Sequence, residues 1–264
     1  RFMTAKKILV VDDSALMRRV LCDIINSDKR FQVVAKATNG LEAFDLLSRN
    51  TYDAVVLDVN MPKMNGIELL EELRKYKISA RVVMASTDTK EGAKVTMDAL
   101  ELGALDFIHK PNSAIDCRED SFKTNLLRIL AVAVDSKPPV FESREKILAE
   151  RQTVGRMVDI VKRHVAGTAG EKIVAIASST GGPKALQMVV PELPAELDAP
   201  VLIVQHMPKG FTASFAERLD SLSPIAVKEA EDGEELRKGQ VYIARGGSHM
   251  KVKKTAAGKY EIQY

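Results

Sequence analysis

At 264 residues, 45% of them hydrophobic, the chain is long enough for two ordinary globular domains, each with its own core. Its 39 Lys and Arg against 36 Asp and Glu leave a net charge of +3, too small to imply a nucleic-acid groove or attraction to an anionic membrane. Cys22 and Cys117, the only cysteines, lack metal-ligand spacing, and no run has signal-peptide character or approaches the roughly 18 apolar residues of a membrane span, so a soluble, cytoplasmic protein is expected.

From Lys7, short β-branched runs alternate with amphipathic stretches. Strands are expected at Ile8–Val11, Val33–Ala35, Ala54–Leu57, Val82–Ala85 and Leu105–Ile108. Between them Met17, Val20, Leu21, Ile24 and Ile25 recur at helical spacing, followed by helices over 41–47, 67–73 and 95–102. This alternation predicts a doubly wound parallel α/β unit over residues 6–120. From Asn112 to Glu171 the strand signal disappears, and Lys137, Pro138 and Pro139 interrupt a helical stretch beginning near Ser121. A linker is therefore expected over 121–170, where Val154, Val158, Val161 and Val165 mark a second helix that packs on one of the domains rather than binding a partner. From Lys172 the alternation resumes with Ile173–Ala177, whose composition is that of a buried strand, then a glycine turn, a helix from Pro183 and a strand at Val201–Val204. That is a second α/β unit, over 171–264.

Asp12 and Asp13 follow the first strand and Asp58 ends the third, so a parallel sheet brings all three carboxylates to the carboxyl edge where ligands bind. Carboxylates so crowded repel one another and suit a hard divalent cation such as Mg²⁺. Lys110, after the fifth strand and backed by Pro111, and Ser86, after the fourth, reach the same edge. A carboxylate attacks phosphorus only when charge on the transferring group is neutralised, and a metal ion with a lysine supplies that. Val10-Val11-Asp12-Asp13-Ser14, Leu57-Asp58-Val59-Asn60-Met61-Pro62 with Asn65-Gly66, Ser86 and Lys110-Pro111 resemble the receiver domains of response regulators over residues 6–116. The resemblance implies that a histidine kinase donates phosphate to Asp58, that Asp12, Asp13, Asp58 and the Asn60 backbone carbonyl surround Mg²⁺, and that Ser86, Phe107 and Lys110 form the switch. Phe107 as a plain core residue is the competing reading.

In the second unit, Ser178-Ser179-Thr180-Gly181-Gly182-Pro183 joins strand to helix, holding a serine where free N–H groups and the helix dipole stabilise an oxyanion. Ala177, Ser179 and Gly181 occupy the positions of a G-x-S-x-G elbow, with alanine for the first glycine, which favours Ser179 over Ser178. Such a turn also cradles phosphate, and a base is needed to tell the two apart. His206, ending the next strand at the same edge, is the candidate. These residues, Val204-Gln205-His206-Met207-Pro208, Gly210-Phe211-Thr212, Glu229-Ala230-Glu231-Asp232-Gly233 and Val241-Tyr242-Ile243-Ala244 resemble the catalytic domain of the CheB protein-glutamate methylesterases of chemotaxis.

That resemblance implies a flavodoxin-like receiver followed by a Rossmann-like hydrolase domain, with Ser179 as nucleophile, His206 as base and Thr180, Gly181 and Gly182 forming the oxyanion turn. It implies no cofactor for the hydrolase site. It further implies demethylation of glutamate esters and deamidation of glutamines on methyl-accepting chemoreceptors by a monomer whose unphosphorylated receiver covers the site, with neither nucleic acid nor membrane insertion. The family's third catalytic residue, an aspartate after a Gly-Met-Gly segment, has no counterpart among the 264 residues, so the chain reads as cut short and as a weak or inactive esterase. Asp220 and Asp232 do not match the motif; His249, in Gly246-Gly247-Ser248-His249-Met250, reads as a binding or structural residue. The alternative is a response regulator with a DNA-binding or non-catalytic output, although no Arg- or Lys-rich recognition helix follows the linker.

Overall fold

Successive strand side chains point to opposite faces, so a β-branched run in a sheet covered on both sides is apolar throughout yet feeds two cores. The computed structural model describes residues 4–87, 90–111, 120–139 and 172–264 and has this arrangement. Strands β1 (Lys6–Val11), β2 (Phe31–Ala37), β3 (Ala54–Asp58), β4 (Val82–Thr87) and β5 (Asp106–Lys110) pair in the parallel order β2-β1-β3-β4-β5. Leu9, Val11, Val55 and Leu57 pack with helices α2 (Gly40–Arg49), α3 (Gly66–Lys75) and α4 (Lys90–Glu101). Their neighbours Ile8, Val10, Ala54 and Val56 pack with α1 (Ala15–Asn26) on the opposite face. Ser14, Asn39 and Asn65 cap α1, α2 and α3, and Asn65 with Glu68 forms a full capping box. Each such cap stabilises its helix by about 1 kcal/mol.

The segment after residue 120 departs from expectation. It forms α5 (Asp120–Asp135), whose Phe122, Leu126, Ile129, Leu130, Ala133 and Val134 are buried with β1, β3, β4 and α1. The helical stretch that the sequence reading places in the linker is thus the fifth helix of the first unit, covering the sheet face that α1 leaves open. The expected helix over 154–165 lies outside the described residues, as does Cys117.

The second unit contains β6 (Val174–Ser178), α6 (Gly182–Val189), β7 (Val201–Gln205), α7 (Phe211–Leu222), β8 (Ala226–Glu229) and β9 (Gln240–Ile243). Its sheet is parallel, in the order β6-β7-β9-β8. An antiparallel hairpin of β10 (Lys251–Lys254) and β11 (Tyr260–Gln263), not foreseen from the sequence, adds Ile262 to a small core with Leu202 and Tyr242. The buried-strand reading of 173–177 needs correction: among the described residues β6 pairs only with β7, at the edge of the sheet, and Ile173 and Val174 are 40% and 38% exposed.

The two units pack against each other. Phe107 of β5 stacks on Phe211 of α7 with ring centroids 5.1 Å apart and planes 10° from parallel. Arg218 of α7 pairs with Glu101 of α4. One hydrophobic cluster runs without a break from the first unit through Phe107 to Phe211 and Phe215. Among the described residues no helix is long and apolar enough to cross a membrane.

Candidate functional site

The sheet order makes β1 and β3 neighbours, with Val11 opposite Leu57, so the residues that follow them lie side by side at the carboxyl edge. Ligand oxygens of Asp12, Asp13 and Asp58 all come within 4.8 Å of one another. Asp12 and Asp58 are buried and Asp13 is exposed. The Lys110 ammonium crosses the sheet edge to Asp58 Oδ1 at 2.6 Å and Asp12 Oδ2 at 3.1 Å. The Ser14 N–H donates to Asp12 Oδ1, and Arg18 holds the Asp12 carbonyl. Burial pushes both carboxyls above the usual carboxylate range, with Lys110 pulling the other way. Burial likewise pulls the ammonium down, but Asp58 and Asp12 outweigh it and raise its pKa.

Three carboxylates facing one ammonium leave two negative charges in a largely buried pocket. A divalent cation with oxygen ligands answers that imbalance, so the residues present fit Mg²⁺. Ser86 is buried at the end of β4, where its neighbour Thr87 pairs in register with Lys110, and Asn60 follows two residues after Asp58. The residues singled out from the sequence for this pocket are therefore gathered at one edge. Phe107, three residues before Lys110, points to the second unit instead, which makes it more than a core residue of its own sheet.

In the second unit Ser178 and Gln205 are paired in register at the ends of β6 and β7, so Ser179 and His206 are the next residue on each strand. Gly181 has φ +76°, a left-handed conformation that glycine adopts without strain, and the Gly182 N–H closes the turn onto the Ser179 carbonyl at 2.7 Å. Gly182 and Pro183 then open α6. Asp220 and Asp232, which match no catalytic motif, each accept from a backbone N–H, that of Val227 and of Tyr264 respectively. His249 is exposed.

Two residues of the first unit enter this site that the sequence did not single out. Arg128 of α5 donates through Nη1 to Ser179 Oγ at 3.1 Å and to Thr180 Oγ1 at 3.0 Å. Its Nη2 meets His206 Nδ1 at 3.3 Å and donates to Asn125 Oδ1, which steadies it. A guanidinium has donors only, so His206 Nδ1 must present its lone pair and the ring proton sits on Nε2. The imidazole's one basic nitrogen is thereby engaged by Arg128. Asp106 of β5 accepts the Gly181 N–H at 3.1 Å and that of Phe107 at 2.8 Å. Burial raises its pKa to about 6, against the lowering effect of those N–H groups, Arg128 and the Thr180 hydroxyl. A cavity of about 290 Å³ remains between the units, lined by Asp106, Arg128, Thr180, His206 and Gly247 among others.

Comparison with known proteins agrees with both halves. A family model described as the response regulator receiver domain matches residues 8–120, and one described as CheB methylesterase matches residues 174–263. A protein-glutamate methylesterase/protein-glutamine glutaminase of Pyrococcus horikoshii is 44% identical over 93% of this chain and 65% of its own length. The protein of that name from Thermotoga maritima is 45% identical over 94% of this chain and 68% of its own length. That from Bacillus subtilis is 42% identical over 96% and 70%. The chain thus spans about two thirds of the length of the curated relatives it matches. On this likeness, which runs through both units, the chain belongs to the protein-glutamate methylesterase/protein-glutamine glutaminase family, which joins a receiver domain to a CheB methylesterase domain.

Proposed function

We propose that the protein is a phosphorylation-activated serine hydrolase that removes methyl esters from glutamates, and amides from glutamines, on chemoreceptors. The observation that carries this reading is that a single guanidinium reaches both the Ser179 hydroxyl and the His206 ring, so that the two side chains read as nucleophile and base share one sheet edge. In the reaction, Ser179 Oγ attacks the ester carbonyl carbon while His206 takes its proton. The N–H groups of Thr180 and, once Asp106 has left it, Gly181 receive the developing oxyanion, whereas the Gly182 N–H, expected from the sequence to join them, is committed to the Ser179 carbonyl that closes the turn. The carbonyl–OCH₃ bond then breaks, and His206 returns the proton to give methanol. Water attacks the acyl-serine, His206 again moves the proton, and glutamate is released with Ser179 restored. For a glutamine the leaving group is ammonia. The hydrolase step needs no cofactor.

With the receiver docked, Arg128 and Asp106 occupy the groups this chemistry uses: hydroxyl, imidazole and a turn N–H. Phosphorylation of Asp58 by a histidine kinase frees them. Asp12, Asp13, Asp58 and the Asn60 carbonyl would hold Mg²⁺, which when bound neutralises charge on the transferring phosphoryl group. Asp58 is the attacking carboxylate, Lys110 offers its ammonium and Ser86 its hydroxyl to the phosphoryl oxygens, and Phe107 carries the change to the interface. In this reading the protein works as a monomer in the cytoplasm, with no nucleic-acid partner.

The test is covalent trapping of the full-length gene product with a serine-reactive fluorophosphonate. The expected adduct is on Ser179, is lost in Ser179→Ala, and forms faster after treatment with a small phosphodonor and Mg²⁺ in the parent but not in Asp58→Asn. A protein that forms no adduct under any of these conditions has a non-catalytic output domain.

A further inference from the structure

We propose that Gln205 is a positioning residue for this reaction, a single buried carboxamide that locks the serine loop to the histidine loop. The proposal rests on the reading of Ser179 and His206 as nucleophile and base. The parallel ladder between β6 and β7 ends at Ser178 and Gln205, where the His206 N–H donates to the Ser178 carbonyl at 3.2 Å. Beyond that rung the two chains diverge into the turns that carry the reactive side chains. Nothing in the backbone ladder fixes the loops against each other there.

The Gln205 side chain supplies the missing connection. It is 5% exposed, its Oε1 accepts from Ser178 Oγ at 2.6 Å, and its Nε2 donates to the carbonyls of Ser179 at 3.0 Å and His206 at 3.3 Å. Both backbone carbonyls can only accept, which fixes the orientation of the amide with its nitrogen toward them. Two donors and one acceptor are all used, each on a residue adjacent to, or part of, the reacting pair. The arrangement also separates the two adjacent serines: the Ser178 hydroxyl is committed to Gln205, whereas that of Ser179 is directed to the interdomain site. Gly182 belongs to the same device, because a Cβ at that position would fall on Gln205 Oε1.

A buried glutamine that merely satisfies its own polar atoms would stabilise the fold without setting the rate. The two roles separate in the kinetics of phosphonate labelling of phosphodonor-activated, full-length protein, measured as maximal rate and half-saturating concentration. Gln205→Glu keeps the size and the acceptor for Ser178 but at neutral pH offers no proton to either carbonyl. Gln205→Met keeps the volume and offers neither. In both, the maximal rate is expected to fall roughly 10- to 100-fold, the scale of a misplacement of about 1 Å, with little change in half-saturation. For Gln205→Glu alone, the rate relative to the parent recovers from about pH 8 to about pH 6, as the buried introduced carboxyl gains a proton it can donate. Labelling at the parent's maximal rate in both variants overturns the proposal. So do losses that follow only the unfolded fraction in thermal melts, without recovery in Gln205→Glu. Absence of any Ser179 adduct in the unsubstituted protein overturns the nucleophile reading itself, and the clamp falls with it.

Discussion

Arg128 binds His206 through the nitrogen that would otherwise be free to take a proton, Nδ1, 3.3 Å from Nη2, while Nη1 of the same guanidinium lies 3.1 Å from Ser179 Oγ. In the proposed reading the receiver thus does more than shade the site, since it ties up the one basic lone pair that His206 would use as a general base. Arg128→Ala is expected to raise Ser179 labelling in the unphosphorylated protein about tenfold, the equivalent of roughly 1.4 kcal/mol for partly exposed charge-assisted contacts. Arg128→Lys gives an intermediate rate, because an ammonium cannot bridge hydroxyl and imidazole as a planar fork does. Labelling of Arg128→Ala at the parent's unphosphorylated rate would remove Arg128 from the inhibitory contact.

The stack of Phe107 on Phe211 ties the phosphoacceptor sheet to the helix that follows the histidine loop. Phe107 is on β5 three residues before Lys110, the ammonium held by Asp58, so a change of charge at Asp58 acts on the strand that carries the ring. Phe211→Leu keeps most of the apolar burial and loses the ring pairing, about 0.5–1.5 kcal/mol. Unphosphorylated labelling should rise about two- to tenfold, with the phosphorylated rate unchanged, since the proposed activation already breaks the contact. Equal acceleration in both states would point to a direct effect on the hydrolase site.

Leu126 lies fully buried where α5 meets the first sheet, on a segment whose sequence reads as linker. Leu126→Ala should cost about 2–5 kcal/mol in urea unfolding of the receiver. Val132, on the same helix but 46% exposed, should tolerate alanine within about 0.5 kcal/mol. Equal small losses at both positions would mean that α5 is not part of the receiver core.

What the sequence made legible was whatever strand order alone decides. Asp12, Asp58 and Lys110 end apolar runs, and a parallel sheet must deliver such residues to one edge. Ser179 and His206 follow by the same logic from two adjacent strands. The residues it missed act across distance: Arg128 meets Ser179 from 51 positions away and Asp106 meets Gly181 from 75, and no local pattern encodes a docking angle between two sheets. Gln205 stands beside His206 in the same motif, but a glutamine at a strand end breaks no periodicity that would mark its role. Helix α5 reads as linker because no strand signal follows it, although its apolar spacing is visible in the sequence. The β10–β11 hairpin carries exposed lysines in place of an alternating apolar face.

Asp106 gives the docked arrangement a pH dependence whose sign can be worked out. Burial between β5 and the Gly181 turn raises its pKa to about 6, whereas a solvated aspartate titrates near 4. The docked form therefore binds this proton more tightly than an undocked form that exposes the carboxyl. Protonation stabilises docking fully below about pH 4, and that contribution is lost as pH rises through about 6. Acidification from about pH 7 to about pH 5 should then slow Ser179 labelling by favouring the docked form. Asp106→Asn is neutral at every pH and mimics the protonated side chain. Its labelling rate at pH 7 should lie roughly ten- to a hundredfold below the parent's, the gap narrowing on acidification to about pH 5 and closing below about pH 4. A ratio that stays flat over this interval would show that the Asp106 proton does not bias docking.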